Sequence, residues 1–215
     1  MREADAGAQA RWDRAAQMAE GLTDLGIGGA VRRYFLVIVP LTFVIALGVG
    51  FALAAFWPEI YDDFFHTGVY LGLMLAGVGV SVVGLVYRSR TVGAMVRPRQ
   101  IGVTVGLKGD EVKHVRRQIL AKDPIDLTQL TVLKAAAVQF REKLAKQLLT
   151  SPGIVIFLSG QAAARGIRSG FDVMIIAVLL VMVGLVGSLA HQFRRTGVFL
   201  AATGPAAADD SNPQS

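Results

Sequence analysis

The chain has 215 residues, 53% of them hydrophobic and 18% charged, with a mean hydropathy of +0.50 and a formal net charge of +6. Its apolar residues gather in uncharged runs of about twenty instead of recurring at helical or strand period, which excludes an ordinary soluble domain and points to transmembrane helices. No cysteine is present, so disulfides, thiolate catalysis, cysteine-ligated zinc and iron–sulfur clusters are excluded.

Residues 1–33 are polar and Ala-rich. Trp12, Ala16, Ala19 and Leu22 share one face at helical spacing, which fits a short interfacial helix within a cytoplasmic N-terminal arm. Arg32 and Arg33 precede the first apolar run, Tyr34–Trp57, whose 24 residues extend about 36 Å as a helix, enough for a bilayer core. Tyr34 and Trp57 stand at its ends, where aromatic belts lie. The polar stretch before it is too long for a signal peptide, so Ala52-Leu53-Ala54 is not read as a cleavage site. An acidic connector, Pro58–Thr67, leads to the second run, Gly68–Tyr87, and then to Arg88, Arg90, Arg97 and Arg99. A hairpin with basic ends and an acidic turn places the N-terminus and the residues after 88 in the cytoplasm.

Ile101, Val103, Val105 and Leu107 alternate with smaller residues, as a strand would, but no partner strand is evident. The long water-compatible segment is Gly109–Leu149. Asp110 is the expected N-cap of a helix whose apolar face is Val112, Val115 and Ile119, and Asp123-Pro124 should break it. Asp126 and Gln129 have capping-box spacing and should start a second helix, with Leu130, Leu133, Ala137, Phe140, Leu144 and Leu148 at steps of three and four. Residues 88–147 hold thirteen basic side chains against five acidic ones, a net of +8. The third apolar run, Leu148–Ala164, is weak: Ser151-Pro152-Gly153 interrupts it, and its 17 residues cover about 25 Å. The second helix is expected to continue into it, bent at Pro152. The fourth run, Phe171–Phe193, is strong, with Asp172 near its start and His191, Arg194 and Arg195 at its end.

The expected fold is all-α: a polytopic membrane protein whose four transmembrane helices form two hairpins (34–87 and 150–195) around a basic cytoplasmic helical hairpin (88–149), with a disordered tail (196–215). The alternative has three spans and a re-entrant third segment.

Gly68, Gly72 and Ala76, and then Gly77 and Ser81, recur every four residues, so another helix can approach closely. Packing within one protomer is the favoured use and a homo-oligomer the alternative. The cluster Lys113, Arg116, Arg117 and Lys122 has no interleaved aromatic residues, which disfavours nucleic acid. Anionic lipid headgroups of the bilayer or a partner protein are the expected contacts. Asp110, Glu111 and His114, like Asp62, Asp63 and His66, are too few to hold a metal. Asp172 reads as a helix cap or interface anchor, and Gln161 as a hydrogen bond between helices. No phosphate-binding loop, dinucleotide fingerprint or nucleophile elbow occurs, and the spans lack central Lys, Glu or His for a proton relay. No cofactor and no catalysis are therefore expected, and the leading reading is a non-catalytic scaffold or accessory subunit. A small oligomeric transporter or channel subunit, from the glycine stripes and the broken third helix, is the first alternative. A membrane enzyme using Asp172, His191 or Asp62 is the second.

The basic helix EVKHVRRQILAKDPID followed by LTQLTVLKAAAVQFREKLAKQL, flanked by membrane hairpins, resembles a family of small, uncharacterised actinobacterial integral membrane proteins. In that family a segment of the type R-x-[IV]-x-x-[GK]-[DE]-P-[IV] links paired transmembrane helices. The likeness covers residues 107–150 and the general layout. It implies four spans, a cytoplasmic helical hairpin and a bacterial plasma membrane, and it implies no activity.

Overall fold

A computed structural model describes residues 2–56, 63–97, 102–165 and 170–203. Trp57, the connector through Asp62, Arg99, Ile101, Arg168 and the tail from 204 lie outside them. The chain is all-helical, and its elements in order are α1 (Arg2–Ala19), β1 (Thr23–Asp24), α2 (Ile27–Phe56), α3 (Phe64–Arg90), β2 (Val96–Arg97), α4 (Gly109–Ile119), α5 (Leu130–Arg165) and α6 (Gly170–Ala202). Contacts divide the chain into a polar unit (Met1–Ile27, Gly93–Leu144, His191–Ser215) and an apolar unit (Gly28–Val92, Ala145–Ala190).

In the apolar unit, α2 begins seven residues before the apolar run and carries a π turn at Tyr34–Ile38. The Val39 N–H donates to the Tyr34 carbonyl, one residue beyond the α-helical partner. The reason is Pro40, which has no N–H for the Leu36 carbonyl, so the helix slips by one residue there. Asp63 caps α3 by accepting from the N–H groups of Phe65 and His66 at 2.9 and 3.1 Å.

Helices α2 and α3 run antiparallel at glycine separation. A Cβ on Gly50 would meet Gly72 Cα at 2.5 Å, and one on Gly72 would meet Leu47 Cδ2 at 2.7 Å. Helix α5 lies as close to the other side of α3. A Cβ on Gly77 would fall 2.6 Å from the Phe157 nitrogen, and one on Gly153 would fall 2.6 Å from that of Ser81. Small residues thus replace the side-chain layer that normally spaces helices. Tyr34 is fully buried between these three helices, its hydroxyl 2.9 Å from the Leu149 carbonyl and 3.1 Å from that of Val80. It is a core residue and not the interface anchor its position at the end of the run implies. The Leu149 carbonyl lies in the turn disrupted by Pro152, which sits inside a continuous α5. Ser151 Oγ donates to the Gln147 carbonyl at 2.7 Å in the same turn.

The polar unit is built around the N-terminal half of α5, where Val132, Leu133 and residues 135–138 are all buried. Several expectations are corrected here. Residues 102–107 form turns and not a strand; the short strand is Val96–Arg97, and it pairs antiparallel with Thr23–Asp24. Val103 is nonetheless buried, its N–H donating to Gln139 Oε1 at 3.0 Å. Lys108, not Asp110, occupies the N-cap of α4, where Glu111 accepts the Lys108 N–H at 2.6 Å. Helix α4 ends at Ile119, four residues before Asp123. It closes with Ala121 in the left-handed region (φ 54°) and the Lys122 N–H on the Arg117 carbonyl at 2.8 Å, the pattern of a Schellman cap. Asp126 caps a short 3₁₀ turn through Thr128, at 3.0 Å to its N–H and 2.7 Å to its hydroxyl, and the Gln129 N–H donates to the Asp126 backbone carbonyl at 3.2 Å instead of to its side chain. Residues 196–202, expected in a disordered tail, continue α6 and bury Thr196 and Phe199.

Candidate functional site

Helix α4 is strongly amphipathic. Val115 and Ile119 are buried, Lys113 and Arg117 project from the opposite side, and Arg116 is exposed at the edge of the apolar face. Of the predicted cationic cluster, Arg117 is held by Asp123 at 3.1 Å. Arg116 stacks over the Phe140 ring at 5.1 Å and donates to Gln192 Oε1 at 3.1 Å. Lys113 is loosely paired with Asp110 at 3.9 Å, with both side chains exposed, and Lys122 is exposed on the loop after α4. Arg195 reaches the Leu120 carbonyl at 3.1 Å, closing the C-terminal end of this helix.

The polar segment is not alone in carrying this surface. Arg11 of α1 forms a two-pronged pair with Glu111, at 2.8 and 3.3 Å. That pair holds the Glu111 carboxyl below its ordinary range, with the Lys108 N–H contributing second, and it holds the Arg11 guanidinium above its own. The two Thr128 hydrogen bonds likewise lower Asp126. Asp24 bonds Arg141 and at the same time accepts from the N–H groups of Gly26 and Ile27 at 2.9 and 2.8 Å. Arg141 lies over the Phe193 ring at 4.9 Å. One acid of the N-terminal arm, Asp24, thus neutralises a cation of the segment counted as +8, while the arm's Arg11 pairs with one of that segment's acids. Over the whole polar unit, fifteen basic side chains face twelve acidic ones. The Arg11–Glu111 and Asp24–Arg141 pairs span 100 and 117 residues, and no local pattern marks them.

A cavity of about 270 Å³ lies between α4 and α5, with Val112, Val115, Ile119, Ala136 and Phe140 as its apolar lining and Arg116 and Lys143 as its cations. A second, of about 540 Å³, is lined by Leu22, Asp24, Lys134, Arg141, Leu200 and Thr203 among others. His114 Nδ1 lies 3.4 Å from Asp123 and Nε2 lies 2.7 Å from Gln118 Nε2, so the carboxyl and amide, not Asp110 and Glu111, surround it.

In the apolar unit Gly68, Gly72, Ala76 and Gly77 are buried and Ser81 half-buried on α3. They face α2 at Phe51 and Leu47 and α5 at Phe157 and Gly153. Gln161 donates to Met74 Sδ at 3.2 Å. Asp172 is buried in the first turn of α6. On α2, α3 and the apolar part of α6, twenty-two large apolar side chains are exposed, Leu36, Val44, Val82 and Leu180 among them. Half-exposed, each forgoes about 1 kcal/mol of transfer out of water, roughly 20 kcal/mol together, which an apolar surrounding such as a bilayer core would supply. These helices are long and apolar enough to cross a bilayer, and the best window of α6 is 0% buried within the chain. The fold and surface define an all-helical protein of membrane-spanning composition. Compared with family models, curated proteins and solved structures, the chain finds no match.

Proposed function

We propose that the protein is a multi-pass integral membrane protein of a bacterial plasma membrane. Its four spans form two hairpins, and its N-terminus, α4 and C-terminus are cytoplasmic. It serves as a non-catalytic scaffold or accessory subunit through its basic hairpin. One observation carries the topology. The chain passes between its two units four times, after residues 27, 92, 144 and 190, and each passage is close to cations: Arg32 and Arg33, Arg88 and Arg90, Lys143 and Lys146, Arg194 and Arg195. Each of the two apolar excursions, 28–92 and 145–190, thus begins and ends beside basic residues, as cytoplasmic retention favours, while the turn of the second also carries Arg165 and Arg168. The C-terminal half of α5 is less apolar than the other three. Its backbone-close packing on α3 supports a weak span carried by its neighbours. The same layout is what the resemblance to the actinobacterial family implies. Lys113 and Lys122, least engaged of the cationic cluster, are the groups offered to anionic lipid or a partner. Reporter fusions at Arg168 and at the C-terminus test the topology. Residue 168 should be outside and the C-terminus inside, and a cytoplasmic residue 168 would sink the four-span arrangement.

A further inference from the structure

Three arginines of the polar unit, Arg11, Arg117 and Arg141, are paired with carboxylates of their own chain, and four in the apolar unit are without such a pair among the described residues. Arg32 and Arg33 on α2 and Arg88 and Arg90 on α3 are all exposed, and among the described residues none of them has an ion-pair partner. The antiparallel register brings them to one level. The Tyr34 and Tyr87 rings sit 5.5 Å apart, and the Tyr87 hydroxyl donates to the Ala30 carbonyl at 3.2 Å. All four arginines therefore lie within about one helical turn of a single tyrosine pair. The acids of this unit, Glu59, Asp62, Asp63 and Asp172, are far along the chain from them. Four guanidiniums at one level repel one another until external anions gather there. Planar guanidinium forks match phosphate oxygens two at a time.

We propose that Arg32, Arg33, Arg88 and Arg90 form a headgroup site for anionic phospholipid, each helix supplying one pair of guanidiniums to lipid phosphates. The site rests on the membrane reading above and is separate from the α4 cluster. The ligand is a lipid and not free phosphate, because the exposed apolar side chains of the same helices, Leu36, Val37, Leu85 and Val86, begin within a few residues of the arginines. An acyl chain attached to the phosphate can lie along them.

The test titrates fluorescent phosphatidylglycerol into the full chain in neutral detergent, with phosphatidylcholine and inorganic phosphate as separate competitors. Each basic residue near an anionic headgroup contributes about fivefold in affinity. R32Q/R33Q and R88Q/R90Q should therefore each weaken binding roughly thirtyfold, while R14Q, at an exposed arginine of α1, leaves it within about twofold. Phosphatidylcholine and inorganic phosphate should both fail to displace the probe. Undiminished binding in both double variants overturns the site, as does displacement by inorganic phosphate. If one double variant does not fold, the other decides. A wild-type chain that stays out of the membrane fraction refutes the membrane reading instead, an outcome separate from inserted protein without lipid preference.

Discussion

Substituting Gly77 by Ala separates internal helix packing from a surface stripe. A Cβ there would lie 2.6 Å from the Phe157 nitrogen and 2.7 Å from its Cα, and both are backbone, so no rotamer change relieves the clash. Helices α3 and α5 must part by about 1 Å, a gap that forfeits a quarter to a half of each contact's dispersion energy along the interface. Overpacking of this kind costs about 1–3 kcal/mol, against which the helix gains at most about 1 kcal/mol from replacing Gly by Ala. Gly187 on α6 is the control: nothing lies within 4 Å of its Cβ position, so G187A should be neutral or stabilising by up to about 1 kcal/mol. The melting temperature of purified protein in one detergent, followed by far-UV circular dichroism, should fall for G77A and hold or rise for G187A. If G77A melts no lower than G187A, the α3–α5 approach is not the one described.

Three further outcomes follow from the polar unit. Ala121→Gly should raise stability by about 0.5–1 kcal/mol, because Ala121 holds a left-handed conformation that glycine adopts without steric cost; an unchanged denaturant midpoint would remove that cap. Because Arg11 lowers the Glu111 carboxyl in the folded state, the pair stabilises fully above the ordinary carboxylate value of about 4.3. That stabilisation is lost as pH falls through the lowered folded value. In a Trp57→Phe background, the fluorescence of Trp12, next to Arg11, should titrate on this acid limb, and Glu111→Gln should flatten it. Asp24→Ala should cost about 3 kcal/mol by removing both the cap and the partner of a mostly buried guanidinium. Asp24→Asn should cost about 1 kcal/mol less because the amide oxygen still caps; equal midpoints in chemical denaturation would show that the cap contributes nothing.

The apolar runs were legible because hydrophobicity is local: twenty uncharged residues need no tertiary information to declare a span. The stripe from Gly68 to Ser81 was legible for the same reason, although which helices it meets was not. Element ends failed where a distant partner decided them. Helix α2 starts at Ile27 because Asp24 caps it, and Asp24 is held there by Arg141, 117 residues away. Thr23 and Asp24 look like loop until Val96 and Arg97 pair with them. Tyr34 read as an interface aromatic because no sequence pattern announces the Leu149 and Val80 carbonyls as its acceptors.

The charge count is where sequence order and spatial order differ most. Taken along the chain, residues 88–147 are the basic region, and the hairpin inherits the lipid-binding role. Taken by spatial unit, the arm's Asp24 and a carboxylate of the hairpin itself, Glu111, are already committed to Arg141 and Arg11, and Asp123 is committed to Arg117. An exposed pair contributes little to stability, but it still cancels the local field. What attracts an anionic surface is uncompensated charge, and the proposed lipid site places it at Arg32, Arg33, Arg88 and Arg90, which these pairs leave untouched. Under that proposal the hairpin is left to a protein partner while the ends of α2 and α3 meet the lipid. The two roles separate physically, because attraction to a lipid surface falls within a Debye length as salt rises, whereas contacts into the apolar lining beside Phe140 do not.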